Sequence, residues 1–237
     1  MALDLARIKA ICFDVDGTLS DTDDQWVNAF EHRIGPLRRL FPQQNARAFA
    51  RWAIMCAESP GNLVYHLFDR IHLDDEVGRL VSAIHRRRVK KSASGFLLVA
   101  GVREMLCMLY EHYPLSVVSA RDEAGTMAFL KQYGLEGYFR AYATAWTCAY
   151  TKPFPHPVQW AAEQMGVHPE ECLMVGDTTV DIRAGKAAGA QTVGVLCGFG
   201  QEAELRRAGA DLVLPDTAAL AQILLPNARL AENPLDR

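Results

Sequence analysis

Five short apolar runs, at residues 8–15, 115–120, 172–175, 192–196 and 212–214, punctuate the chain. Each is hydrophobic almost throughout instead of alternating with polar positions, the pattern of parallel strands covered on both faces. Segments with helical spacing lie between them, at 102–112, 123–133, 158–165 and 181–188. Gly134, Gly166 and Gly189 stand where these helices would end, the usual place for a residue that closes the last turn in a left-handed conformation. Alternating strand and helix predicts an α/β fold, a doubly wound, mostly parallel, Rossmann-like sheet.

One stretch breaks the alternation. From 20 to 92 there is only helical spacing: Trp26, Phe30 and Ile34, then Phe49, Ala53 and Ile54, then Val77, Leu80, Val81 and Ile84. The strand pattern resumes only after it, which predicts two units: an α/β core from 1–19 and 93–237, and a smaller all-helical domain over 20–92. The insert carries 12 basic and 9 acidic residues against 13 and 19 in the remainder, so a basic insert interrupts an acidic core. The run His85-Arg86-Arg87-Arg88-Val89-Lys90-Lys91 reads as the solvated end of a helix. The segment after Pro226 reads as a polar, loosely held tail.

Composition narrows the function classes. Half of the 237 residues are hydrophobic, 22% are charged, and the net charge is −3. That excludes a disordered chain and gives no footprint of a nucleic-acid partner. No apolar run approaches the roughly 18 residues that span a bilayer, and Asp4 falls where a signal peptide would be basic and apolar. The six cysteines lie at least 24 residues apart, neither a zinc cluster nor a disulfide framework, and Cys12, Cys172 and Cys197 sit in strand-like runs. A cytoplasmic protein with neither membrane nor nucleic acid as partner is expected; the oligomeric state is not encoded in any of these features.

Candidate chemistry gathers at the ends of the apolar runs. In Phe13-Asp14-Val15-Asp16-Gly17-Thr18 a strand ends in two carboxylates followed by a turn-forming glycine. Ligands of open α/β sheets bind outside the carboxyl ends of the strands, and two acids there repel unless a cation or shared proton compensates. A second strand ends in Gly176-Asp177, with Asp181 opening the next helix. Asp181 alone would read as an ordinary helix cap. Carboxylates assembled with water and substrate oxygens suit Mg2+, a hard ion that seeks octahedral oxygen coordination. Ser119 ends the run at 115–120, and Lys152 precedes Pro153, which biases it towards an extended backbone. Nucleophile, metal ligands, hydroxyl donor and fixed cation are the equipment of phosphoryl transfer.

In these residues the chain resembles the haloacid dehalogenase-like (HAD) superfamily, in its branch of phosphoglycolate phosphatases and β-phosphoglucomutases. The D-x-D-G-T pattern falls on Asp14, Asp16, Gly17 and Thr18, and the strand-end hydroxyl on Ser119. The K-P-x-P lysine falls on Lys152, and the G-D-x-x-x-D element on Gly176, Asp177 and Asp181. The resemblance implies a helical cap over 20–92 and an Mg2+-dependent phosphatase acting on a small phosphorylated metabolite. It further implies Asp14 as the nucleophile that forms an aspartyl-phosphate, and Asp16 as acid and base. The metal would be held by Asp14, Asp177 and the backbone carbonyl of Asp16, with the phosphate bound by Thr18, Ser119 and Lys152. Asp181 would orient Lys152 or a metal-bound water. One departure stands out: Ala120-Arg121 follows Ser119 where many relatives carry asparagine.

The resemblance also sorts the alternatives. Asp16 is the acid that dehalogenases of the family lack, and no lysine occurs between Lys9 and Lys90 to form the Schiff base of phosphonoacetaldehyde cleavage. A phosphomutase of the β-phosphoglucomutase type shares every core motif and is the alternative enzyme. A phospho-receiver signalling domain, the non-enzyme alternative, would be about half as long and have no cap.

Overall fold

The computed structural model describes residues 3–21 and 96–226. The helical cap expected over 20–92 lies outside the described residues from 22 onward, and so does the tail from 227. Six strands form one parallel sheet: β1 (Ala10–Phe13), β2 (Leu115–Val118), β3 (Phe139–Ala143), β4 (Cys172–Gly176), β5 (Gln191–Val195) and β6 (Leu212–Leu214). Their spatial order is β3-β2-β1-β4-β5-β6. The helices are α1 (Val102–Tyr110), α2 (Glu123–Gln132), α3 (His156–Met165), α4 (Thr179–Ala187), α5 (Glu202–Ala208) and α6 (Leu220–Leu224). No helix among the described residues is long and apolar enough to cross a membrane.

The central strand explains the two-sided burial. Along β1, Ile11 and Phe13 join a core of large side chains that includes Leu106, Leu109, Phe129 and Leu173. Ala10 and Cys12 face a second core, with Ala161, Ala162, Met174 and Ala184. Alternate residues of a strand point to opposite faces, so bulky residues fill one layer while small ones let α3 and α4 approach the other. This is why the run is apolar throughout. Cys12 and Cys172 are buried thiols, as their strand positions imply.

Several elements depart from the pattern reading. β3 was not foreshadowed, because it is a five-residue edge strand in which exposed Arg140 interrupts the buried Phe139, Ala141 and Ala143. α5 and α6 have seven and five residues, too few for a 3.6-residue period to register. The first run shortens to Ala10–Phe13 because the chain then turns towards the sheet edge, although the Asp14 amide still donates to Val175 O at 3.0 Å. Ser20, placed by the sequence pattern at the start of the insert, is fully buried and bridges both Asp16 and Leu98. The Asp21 amide donates to Leu97 O at 2.8 Å, so the outgoing and returning chain are paired side by side.

Asp211 ties β5, β6 and α4 together. Its Oδ2 accepts the Lys186 ammonium, the Thr192 amide at 2.8 Å and the Thr192 hydroxyl at 3.2 Å. Burial pushes the Asp211 carboxyl up, but the hydrogen bonds from Lys186 and Thr192 outweigh it and hold it below its ordinary value. Asp211→Ala should cost about 1–3 kcal/mol, the range for orphaning part-buried donors. A carboxyl held low in the fold stabilises it above its ordinary pKa and loses that contribution as pH falls through the lowered value. Thermal unfolding of both proteins should therefore show their difference at neutral pH and see it shrink below about pH 4; a difference that grows in acid would contradict the assignment.

Candidate active site

The sheet order reverses at β1: successive strands run outward to β2 and β3 on one side and to β4, β5 and β6 on the other. Crevices at such switch points, beyond the carboxyl ends of the strands, are where open α/β sheets bind ligands. β1 and β4 pair in register from Ala10↔Cys172 to Phe13↔Val175. Asp14 and Asp177 consequently emerge from neighbouring strands at one edge. Ser119 emerges one strand further along, two residues past the Phe13↔Val117 pair.

Four charged residues converge there. Lys152 Nζ lies 2.7 Å from Asp14 Oδ1 and 2.6 Å from Asp181 Oδ1, and its side chain is only 3% exposed. Carboxylate oxygens of Asp14, Asp177 and Asp181 lie within 4.8 Å of one another, all buried. Burial raises Asp14 to about 7, reinforced by Asp181 and Asp16 and opposed by the attraction of Lys152. Burial would lower Lys152, but Asp14 and Asp181 more than offset it and keep the ammonium charged far above neutrality. The Lys152–Pro153 peptide bond is cis.

Local folding aims each group. Asp181, in the first turn of α4, folds back so that Oδ2 accepts the Thr178 amide at 3.0 Å and the Thr178 hydroxyl at 2.6 Å. Its other oxygen is left for Lys152. Asp177 Oδ2 accepts the Phe199 amide at 3.0 Å, and the Thr18 hydroxyl reaches Oδ1 at 3.4 Å. Gly17 has φ +73, a conformation that favours glycine, and a Cβ there would lie 2.4 Å from Asp177 Oδ2. A Cβ on Gly198 would meet the same oxygen at 2.1 Å. The glycines thus make room for the Asp177 carboxylate against the loop that follows Asp14.

Asp16 and Ser119 have a different partner. Arg121 grips Asp16 through both carboxylate oxygens, Nε to Oδ2 at 3.0 Å and Nη2 to Oδ1. The Arg121 amide donates to Ser119 Oγ at 3.1 Å. Two further contributors were not foreshadowed. The Thr217 hydroxyl donates to Thr18 O at 2.6 Å, and the Cys197 thiol donates to Gly17 O at 3.2 Å. Cys197 lies beyond β5, half-buried, instead of inside the strand-like run. Both fasten backbone carbonyls of the Asp14–Thr18 loop, contacts that leave no motif in a sequence.

The donor set suits a divalent cation. Three buried carboxylates against one ammonium would leave two uncompensated negative charges if all ionised, an arrangement that an oxygen-seeking metal ion relieves. Asp181 gives its oxygens to Lys152 and Thr178 and Asp177 gives its own to the Phe199 amide and the Thr18 hydroxyl, so protein donors already hold these carboxylates in place.

The profile described as haloacid dehalogenase-like hydrolase matches residues 11–195, most of the chain, including Asp14, Asp16, Ser119, Lys152, Asp177 and Asp181. The chain belongs to that family. As a HAD-like hydrolase it is 30% identical over 223 residues to the pyrophosphatase PpaX of Bacillus pumilus, covering 92% of this chain and 97% of that one. It is 29% identical over 203 residues to the phosphoglycolate phosphatase of Neisseria meningitidis, covering 83% of each. The crystal structure of a hydrolase from Pseudomonas syringae superposes with a TM-score of 0.69 at 25% identity, over 93% of this chain and 100% of that one. The HAD-like hydrolase therefore stands in the phosphatase branch of its family.

Crowding around Asp177 can be tested without turnover. Gly198→Ala should displace the carboxylate and weaken Mg2+ binding, measured by calorimetry, by roughly 10–100-fold, the usual cost of disturbing a ligand's support; wild-type affinity would contradict it.

Proposed function

We propose that this hydrolase is an Mg2+-dependent phosphatase that cleaves a small phosphate monoester through an aspartyl-phosphate on Asp14. The observation that carries the reading is the buried ammonium of Lys152 fixed 2.7 Å from Asp14 and 2.6 Å from Asp181. A cation held beside the nucleophile can both orient it and attract the phosphoryl oxygens, which is where most of the work of phosphoryl transfer lies.

In this reading an Asp14 carboxylate oxygen attacks phosphorus as the bond to the ester oxygen breaks, and Asp16 gives that oxygen its proton. A water molecule then attacks the aspartyl-phosphate, Asp16 takes the proton it loses, and phosphate leaves as the Asp14 carboxylate is restored. Ser119 and Lys152 hold the phosphoryl oxygens, the buried Thr18 hydroxyl supports Asp177, and Asp181 acts through Lys152 by holding its ammonium. Asp14, Asp177 and the Asp16 backbone carbonyl would hold Mg2+. When bound, the ion supplies Lewis-acid neutralisation of the crowded oxygens. The excess of basic over acidic residues in 20–92 suits an anionic substrate. A small phosphorylated metabolite in the cytoplasm is the substrate class that fits these features.

Purified protein should release p-nitrophenol from p-nitrophenyl phosphate with Mg2+ and lose that activity to a chelator. Asp14→Asn should abolish turnover while circular dichroism stays unchanged. Turnover that survives chelation, or survives Asp14→Asn, would overturn the reading.

A further inference from the structure

The Asp16 side chain is 40% exposed, whereas that of Arg121 is only 15% exposed. An exposed carboxylate samples several rotamers unless something holds it, and a group that delivers a proton must lie within hydrogen-bond reach of the oxygen that takes it. Arg121 supplies such a constraint. Its fork takes both Asp16 oxygens, the bidentate geometry that fixes a carboxylate in direction as well as distance.

Arg121 is itself held both at its backbone and at its guanidinium. Its amide donates to Ser119 Oγ at 3.1 Å, and its carbonyl accepts the Ala145 amide at 3.0 Å. Its guanidinium carbon lies 4.9 Å from the centre of the Phe96 ring, a stacked cation–π contact. Phe96 cannot easily yield: the Gln132 side chain brackets its backbone, donating to its carbonyl at 2.8 Å and accepting from its amide at 3.1 Å. The Tyr133 hydroxyl also donates to the Phe96 carbonyl, and the Phe96 ring packs edge-on against Phe129 at 5.8 Å. A chain of contacts therefore runs from the core through Phe96 and Arg121 to one carboxylate, and Nη1 of Arg121 is buried with no hydrogen-bond partner among the described residues.

We propose that Arg121, braced by Phe96, is a positioning residue that aims the Asp16 side chain at the leaving group, one Asp16 oxygen remaining on the fork while the other carries the proton to the departing oxygen. The proposal rests on the phosphatase reading above. It distinguishes Arg121 from a phosphate-binding residue, because its hydrogen-bonding edge is committed to Asp16 and its flat face to an aromatic ring. Lysine could not replace it, having neither a planar fork nor a stacking face.

The test exploits leaving-group chemistry. An aryl phosphate such as p-nitrophenyl phosphate departs with little help from an acid, whereas an alkyl phosphate such as glycerol phosphate needs its oxygen protonated. The ratio of kcat/KM for the alkyl ester to that for the aryl ester reports the acid step, and kcat/KM excludes breakdown of the intermediate. Arg121→Gln and Arg121→Lys should each lower that ratio about tenfold or more, a share of the 10²–10⁴-fold that positioned acid catalysis supplies. Phe96→Leu, which keeps the fork and removes its brace, should lower the ratio in the same direction by less. An equal fall for both esters would overturn the proposal and make Nη1 a substrate contact or Arg121 a structural residue. Rescue by lysine would also overturn it. Arg121→Met keeps the apolar stem and serves if the polar variants do not fold. If wild-type protein hydrolyses neither ester, the phosphatase reading itself has failed, and the two failures are distinct.

Discussion

A lysine ammonium buried between two carboxylates is the interaction on which the rest of the site depends. Lys152 has almost no contact with water, so its charge persists only because Asp14 and Asp181 lie within 2.7 Å. Removing one partner of such a buried pair typically costs about 3–5 kcal/mol, because the survivor is left charged and dry. Asp181 is in turn held by Thr178 at the start of α4, so a helix cap anchors the ammonium and the ammonium anchors Asp14. The same burial raises Asp14 to about 7 when Lys152 is the cation at hand, which leaves a clear electrostatic role for a divalent ion.

The sheet exists, in functional terms, to bring distant carboxylates to one edge. Register pairing of β1 with β4 makes Asp14 and Asp177 neighbours across 163 positions of sequence, and the sheet's reversal at β1 opens the crevice in front of them. Around this edge, side chains that do no chemistry themselves fasten backbone, Thr217 to Thr18 and Cys197 to Gly17, and the Phe199 backbone amide fastens the Asp177 carboxylate. Preorganised groups that need no rearrangement at the moment of reaction are what make electrostatic stabilisation effective.

How far this was legible in the sequence follows from what each residue touches. Asp14 and Asp177 were legible because a carboxylate that ends an apolar run is conspicuous, and Lys152 because a proline follows it. Asp181 looked like a helix cap and is one, yet its second oxygen holds Lys152, which no local pattern announces. Arg121 looked like a departure from the family's asparagine, whereas its contacts reach back 105 positions to Asp16. Thr217 and Cys197 were illegible because they bond to backbone carbonyls nearly the length of the chain away. Edge strand β3 was missed because its exposed face carries Arg140 and breaks the apolar run, while the fully covered strands announced themselves.

The central claim is that these converging charges make Asp14, and no other group, the acceptor of a phosphoryl unit. The direct measurement is chemical trapping: a reaction with phosphate ester and Mg2+ is quenched during turnover, reduced with borohydride and digested. The account predicts an acyl-phosphate reduced to homoserine at position 14, seen as a mass change on the peptide that carries it and lost in Asp14→Asn. A reduced residue elsewhere, or steady turnover with no trapped peptide at any quench time, would contradict it.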